Sequence, residues 1–238
     1  MEAYVLVGIA FFTSTLTAVI GMGGGIMLIS AMPGLLPAAA IIPVHGAVQL
    51  ASNSSREVLG IRHIKWRIFW PFLVGAGLGS TAGAEAVVRL SFDHLPLYLG
   101  AFILFVNWVP LPRRPFHLPG HFTILGAVQT FVSLFVGVSG PLTNAFLLHE
   151  SLPKDRIVIT QGITMTATHL CKVAVFGFVG FSFSPYLHLI AAMIISATLG
   201  SWAGTQLRGR LPEERFKKIF KALITLLSIR MIVSALIT

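Results

Sequence analysis

Seven apolar stretches constrain this chain most: residues 3–20, 67–88, 95–111, 122–137, 157–181, 186–207 and 219–238, each holding at most one or two charges. Their lengths match the run of about 20 residues that crosses a bilayer as a helix. A membrane barrel would instead show segments of roughly 10 residues with alternating polarity, and that pattern is missing. The stretches are rich in Gly, Ala, Ser and Thr, which let membrane helices approach closely. Charged residues make up only 11% of the 238, too few to build a water-facing surface. A mean hydropathy of +0.85 says the same. The sequence predicts an all-α, polytopic membrane protein.

The formal net charge of +9 does not point to nucleic acid. The cations cluster in short loops, as retention of Lys and Arg on the cytoplasmic side produces. Cys171 stands alone, which excludes an internal disulfide and a cysteine metal cluster. Residues 3–20 read as a retained helix, because Glu2 stands where a signal peptide would be basic.

The chain repeats itself. A shift of 116 residues puts Gly21 on Gly137, Gly24 on Gly140, Leu36-Pro37 on Leu152-Pro153, Ile41 on Ile157, Gly46 on Gly162, Ala51 on Ala167 and Arg56 on Lys172. Beyond residue 60 the shift becomes 121, and Leu78-Gly79-Ser80 falls on Leu199-Gly200-Ser201. Two repeats follow, 1–112 and 113–238, within one membrane domain. The basic loops are Arg62–Arg67, Arg113-Arg114, Lys154–Arg156 and Arg208–Lys221. Placing them inside leaves loop 37 outside and its equivalent, loop 153, inside. The expected arrangement is an inverted-topology repeat, which secondary transporters use.

Each half also holds an apolar segment too short to span, 26–36 and 141–152. Each follows a break, Gly21-Met22-Gly23-Gly24-Gly25 or Gly137-Val138-Ser139-Gly140-Pro141. Pro141 suits the first position of a new helix, where its missing N–H costs nothing. A glycine-broken helix followed by a short half-helix is therefore expected in each repeat.

At these residues the chain resembles the sulfite exporter TauE/SafE family. The resemblance rests on Gly-Met-Gly-Gly-Gly-Ile-Met-Leu-Ile-Ser at 21–30, Gly-Val-Ser-Gly-Pro-Leu at 137–142, and the Leu-Pro pairs with the polar helices after them. It implies transport of sulfite or sulfur-containing organic anions across the bacterial inner membrane. Ser139 and Pro141 stand where the family pattern has more glycine.

A helix N-terminus presents unpaired N–H groups and about half a positive charge. Gly23, Gly24, Gly25, Ser139 and Gly140 are thus candidates to hold an anion between two half-helix starts, the other reading being tight helix packing. Arg56 and Lys172 are equivalent cations after polar stretches, placed to neutralise the substrate, or in the case of Arg56 to snorkel toward the basic loop. Ser52, Asn53, Thr168 and His169 are candidate donors to the anion's oxygens, or bonds between helices. Asn144 and Thr143 follow the second break, and His45 and Gln161 are equivalents near the same axis. Glu85 lies near Arg89, as a local ion pair or a proton carrier. Arg230 has no acid near it in sequence. Glu213 and Glu214 after Pro212 mark a helix start.

No hydrolytic signature or metal spacing is present, so neither an enzyme nor a cofactor is expected. The sequence predicts a multi-pass exporter of a small anion in the bacterial inner membrane, with the lipid bilayer as its other partner and a homodimer as a further expectation. An anion channel, or an importer of a small inorganic or carboxylate anion, is the alternative.

Overall fold

In the computed structural model, residues 2–20, 23–89, 94–109, 119–207 and 213–237 are described. They form ten α-helices and no extended strand. Helices α1 (Val5–Ile20), α2 (Gly24–Ala31) and α3 (Ala38–Gly60) begin 116 residues before α6 (His121–Val136), α7 (Gly140–Leu147) and α8 (Lys154–Phe178). Helix α4 (Trp66–Val88) begins 121 residues before α9 (Leu187–Leu207), and α5 (Leu95–Trp108) and α10 (Glu213–Ile237) close the two sets. The sequence offsets and the helix starts therefore agree. The residue 112/113 boundary, Gly21, Met22 and Arg113-Arg114 lie outside the described residues, as does the side chain of Arg56.

The fold turns a soluble protein inside out. Trp70, Val74, Leu78, Ile195, Leu199 and Trp202 face outward on α4 and α9. Thr130, Ser133, Thr143, Thr164, Thr168, His169 and Lys172 are buried within. An apolar exterior around a polar interior suits lipid as the solvent. Helices α4 and α9 are long and apolar enough to cross a membrane. Helices α1 and α5 are 16 and 14 residues, shorter than the apolar stretches that announced them, while α6, at 16 residues, is as long as its stretch. Hydropathy marks what lipid accepts, not where a helix ends; for α6 the end is set by Gly137, its left-handed C-cap. The half-helices are shorter too, at 8 residues each, starting at Gly24 and Gly140.

Each half begins with a hairpin. Helix α2 turns back along α1, so that a Cβ on Gly24 would stand 2.2 Å from the Thr13 carbonyl oxygen. Helix α7 turns back along α6: the Thr143 N–H donates to Gln129 Oε1 at 3.1 Å, and His121 at the start of α6 lies 3.7 Å from Glu150. Gly23, with φ of 97°, and Gly137, with φ of 68°, take the left-handed backbone these turns demand.

The two halves interlock. Helix α1 runs parallel to α9, where Ser196 Oγ donates to the Val7 carbonyl at 2.6 Å. Helix α6 runs parallel to α4, where Gly75 and Gly79 lie on the Thr123 and Ala127 carbonyls. The equivalent helices α3 and α8 instead cross antiparallel, Gly46 meeting Lys172 and Gly60 meeting Ile159. Helices α5 and α10 are antiparallel as well. Asn107 reaches Thr225 at 3.0 Å, and Lys221 Nζ sits 4.0 Å from the centre of the Trp108 ring.

Candidate functional site

The α3–α8 crossing runs from Gly46 against Lys172 to Gly60 against Ile159, and both half-helices start against it. The N-terminus of α2 lies against α3, where His45 Nε2 is 2.9 Å from the Gly25 carbonyl oxygen and Gln49 abuts Gly25. The N-terminus of α7 lies against α8, where Gln161 Nε2 donates to the Gly140 carbonyl at 3.4 Å and Met165 abuts Gly140. His45 and Gln161, equivalent by sequence, thus hold equivalent starts. One start lies against residues 45–49 near one end of this crossing and the other against residues 161–165 near its other end. The two helices run away from it in opposite directions, so their N-terminal dipoles both face inward.

Most of the predicted polar residues line this interior. Ser52, Asn53, Ser139, Thr168, His169 and Lys172 are all buried, and Asn144 is half-buried on α7. The rings of His45 and His169 meet edge to face, with centroids 5.8 Å apart. Lys172 Nζ donates to the Gly137 carbonyl at 2.7 Å, capping the end of α6 at the second break. The Thr168 hydroxyl donates to Thr164 O and accepts from Gln129. His45 Nδ1, His169 Nδ1 and Ser139 Oγ are buried without a hydrogen-bond partner. Such atoms cost about 1–3 kcal/mol each unless something binds them.

Two residues of this interior were not legible as candidates. Gln129 ties α6 to α7 and α8, receiving both the N–H and the hydroxyl of Thr143 and donating toward Thr168. A lone amide in the apolar 122–137 stretch was its only signal. Glu57, buried on α3, accepts from Thr166 Oγ1 at 3.1 Å and lies across Gly162. Its signal was an acid beside Arg56 in a membrane helix.

Glu85 on α4 and Arg89 just past its end form an exposed ion pair at 2.9 Å. Arg230 donates to the Pro33 carbonyl at 3.4 Å and so ties α10 to the loop after α2. Among the described residues no three His, Cys, Asp or Glu side chains gather as a metal site.

A family model described as Sulfite exporter TauE/SafE matches residues 6–231, nearly the whole chain. No curated protein and no solved structure matches it.

Proposed function

Because the chain belongs to the sulfite exporter TauE/SafE family, we propose that it exports a small sulfur-containing anion, sulfite or an organosulfonate such as sulfoacetate, across the bacterial inner membrane by alternating access. The family is one of membrane transporters. The observation that carries the anion reading is the pair of half-helix starts at Gly24 and Gly140, turned inward on opposite sides of the α3–α8 crossing. Unpartnered polar atoms of His45, His169 and Ser139 surround them. N–H groups and dipole ends of this kind stabilise an anion where a free charge would be costly.

The two units, 1–112 and 113–238, act as inverted repeats that rock against each other about this centre. The antiparallel run of α3 and α8 supports that reading. Arg56 and Lys172 supply positive charge, and Gly23, Gly25, Ser52, Asn53, Asn144 and Thr168 shape and line the site. An anion leaving a negative interior gains roughly 2.3 kcal/mol per 100 mV, so export needs no further energy source. The assembly is a homodimer in this reading.

The test is flux in proteoliposomes. Sulfite or sulfoacetate should cross with saturation and counter-transport, and Lys172→Ala and Arg56→Ala should each reduce the rate. If both variants keep full flux, the site is misplaced. A flux that rises linearly with concentration and shows no exchange would make the protein a channel.

A further inference from the structure

The bond that holds His45 has a fixed direction. A carbonyl oxygen can only accept, so the Nε2 that lies 2.9 Å from Gly25 O carries the proton. In the neutral ring Nδ1 is then a bare acceptor, and it is buried without a protein partner. The surroundings offer it little. Helix α2 brings the Gly25 carbonyl and no titratable side chain at this point, and Gln49 on α3 abuts Gly25. From α8 come His169, edge to face at 5.8 Å, and Lys172, whose Nζ donates to Gly137 O. The ring is held at the first turn of α2, and the first N–H groups of a helix have no partner within it.

We propose that His45 Nδ1 is the site's acceptor, so that the bound species is a monoanionic oxoanion retaining one acidic proton, of the hydrogensulfite type. Its O–H donates to His45, while its bare oxygens face the α2 N–H groups. This rests on the anion site proposed above and narrows it. A fully deprotonated dianion, or a sulfonate with no O–H, leaves the His45 lone pair buried and unsatisfied, which a buried acceptor penalises. One proton then travels with each anion, on the substrate itself.

Two isosteres separate the possibilities. Near pH 6 methylphosphonate is a monoanion with one P–OH, and methanesulfonate is a monoanion of the same shape with none. Binding to the purified full chain in detergent should favour methylphosphonate by about tenfold, the size of one buried hydrogen bond. His45→Phe should level the two, and His45→Gln should keep the preference, because an amide can donate to Gly25 and still accept. Spectra of the 15N-histidine-labelled chain give a readout that needs no variant: the His45 Nδ1 resonance should move with methylphosphonate and not with methanesulfonate.

Equal affinities, a preference for methanesulfonate, or a preference that survives in folded His45→Phe would each overturn the inference and leave the anion site standing. Failure of both isosteres and of sulfite to bind would remove the anion site and the inference together.

Discussion

The side chain of Lys172 lies across Gly46, its Cδ only 2.9 Å from where a Cβ on that glycine would stand. The equivalent glycine, Gly162, is the seat of Glu57, whose Oε1 is 1.8 Å from the corresponding point. A buried cation and a buried acid thus occupy matching seats on either side of the α3–α8 crossing. Substituting the seats should have unequal effects. The Gly46→Ala variant displaces an aliphatic stem by a few tenths of an ångström, whereas Gly162→Ala must evict a carboxylate that also binds Thr166. Gly162→Ala should lower stability by about 1–3 kcal/mol, the range of an overpacked core, and Gly46→Ala by less. Thermal unfolding in detergent measures both. Adding Glu57→Ala to Gly162→Ala should recover part of the loss, and a double-mutant cycle with no coupling would contradict the seat.

Lys172 also caps a helix end, and this separates its charge from its bond. The Lys172→Met variant keeps the stem on Gly46 but leaves the Gly137 carbonyl without its donor. The expected cost is about 1–3 kcal/mol, that of an orphaned buried acceptor. Lys172→Arg should not rescue, since a planar guanidinium does not fit a seat shaped by a thin stem. A Lys172→Met protein as stable as wild type would show that the bond at 2.7 Å is not formed.

Gln129 holds the second hairpin closed. One side-chain oxygen receives both polar hydrogens of Thr143. Gln129→Leu removes that acceptor at similar size and leaves the buried Thr143 N–H unpaired. Stability should fall by about 1–3 kcal/mol, with amide exchange in α7 rising ahead of α3. Thr143→Val should cost less, because the backbone bond to Gln129 survives it. Uniform exchange across the two helices would argue against a local role.

The fold was largely written in two features of the sequence. The 116-residue offset carries α1, α2 and α3 onto α6, α7 and α8. The glycine breaks at 23 and 137 mark turns because few other residues take their backbone angles. The pairing of side chains was harder to read. Sequence alignment matches Arg56 with Lys172, yet it is Glu57, one residue on, that lies in the seat matching that of Lys172. One residue turns a helix face by about 100°. Alignment of two cations therefore cannot say which side chain turns inward, and Gln129 has a repeat equivalent, Thr13, that gives no warning of its role.

Glu85 offers a contrast, since an acid in a membrane helix suggests proton coupling. Here it pairs with Arg89 one turn on, both side chains 77% exposed. Such a pair contributes about 0–1 kcal/mol. Glu85→Gln should leave flux and its proton dependence unchanged and alter stability by less than about 1 kcal/mol. A loss of flux in a folded Glu85→Gln protein would return this residue to the transport cycle.

Two glycines of α4, two residues apart, should respond in opposite ways. A Cβ on Gly75 would stand 1.9 Å from the Thr123 carbonyl oxygen of α6, and backbone cannot rotate aside. On Gly77 it would meet nothing within 4 Å. Gly75→Ala must push α4 and α6 apart, opening the contact that joins the two halves, and should cost about 1–3 kcal/mol or more. Gly77→Ala adds no contact, removes helix-interior glycine entropy, and should stabilise by up to about 1 kcal/mol. The corresponding pair contact on the other side, Gly200 on the Phe11 carbonyl with a Cβ at 2.2 Å, predicts the same loss for Gly200→Ala. Thermal unfolding of the three variants checks the packing directly. If Gly75→Ala and Gly77→Ala unfold at the same temperature, α4 and α6 are not in backbone contact, and the interlock of the two halves must be drawn differently.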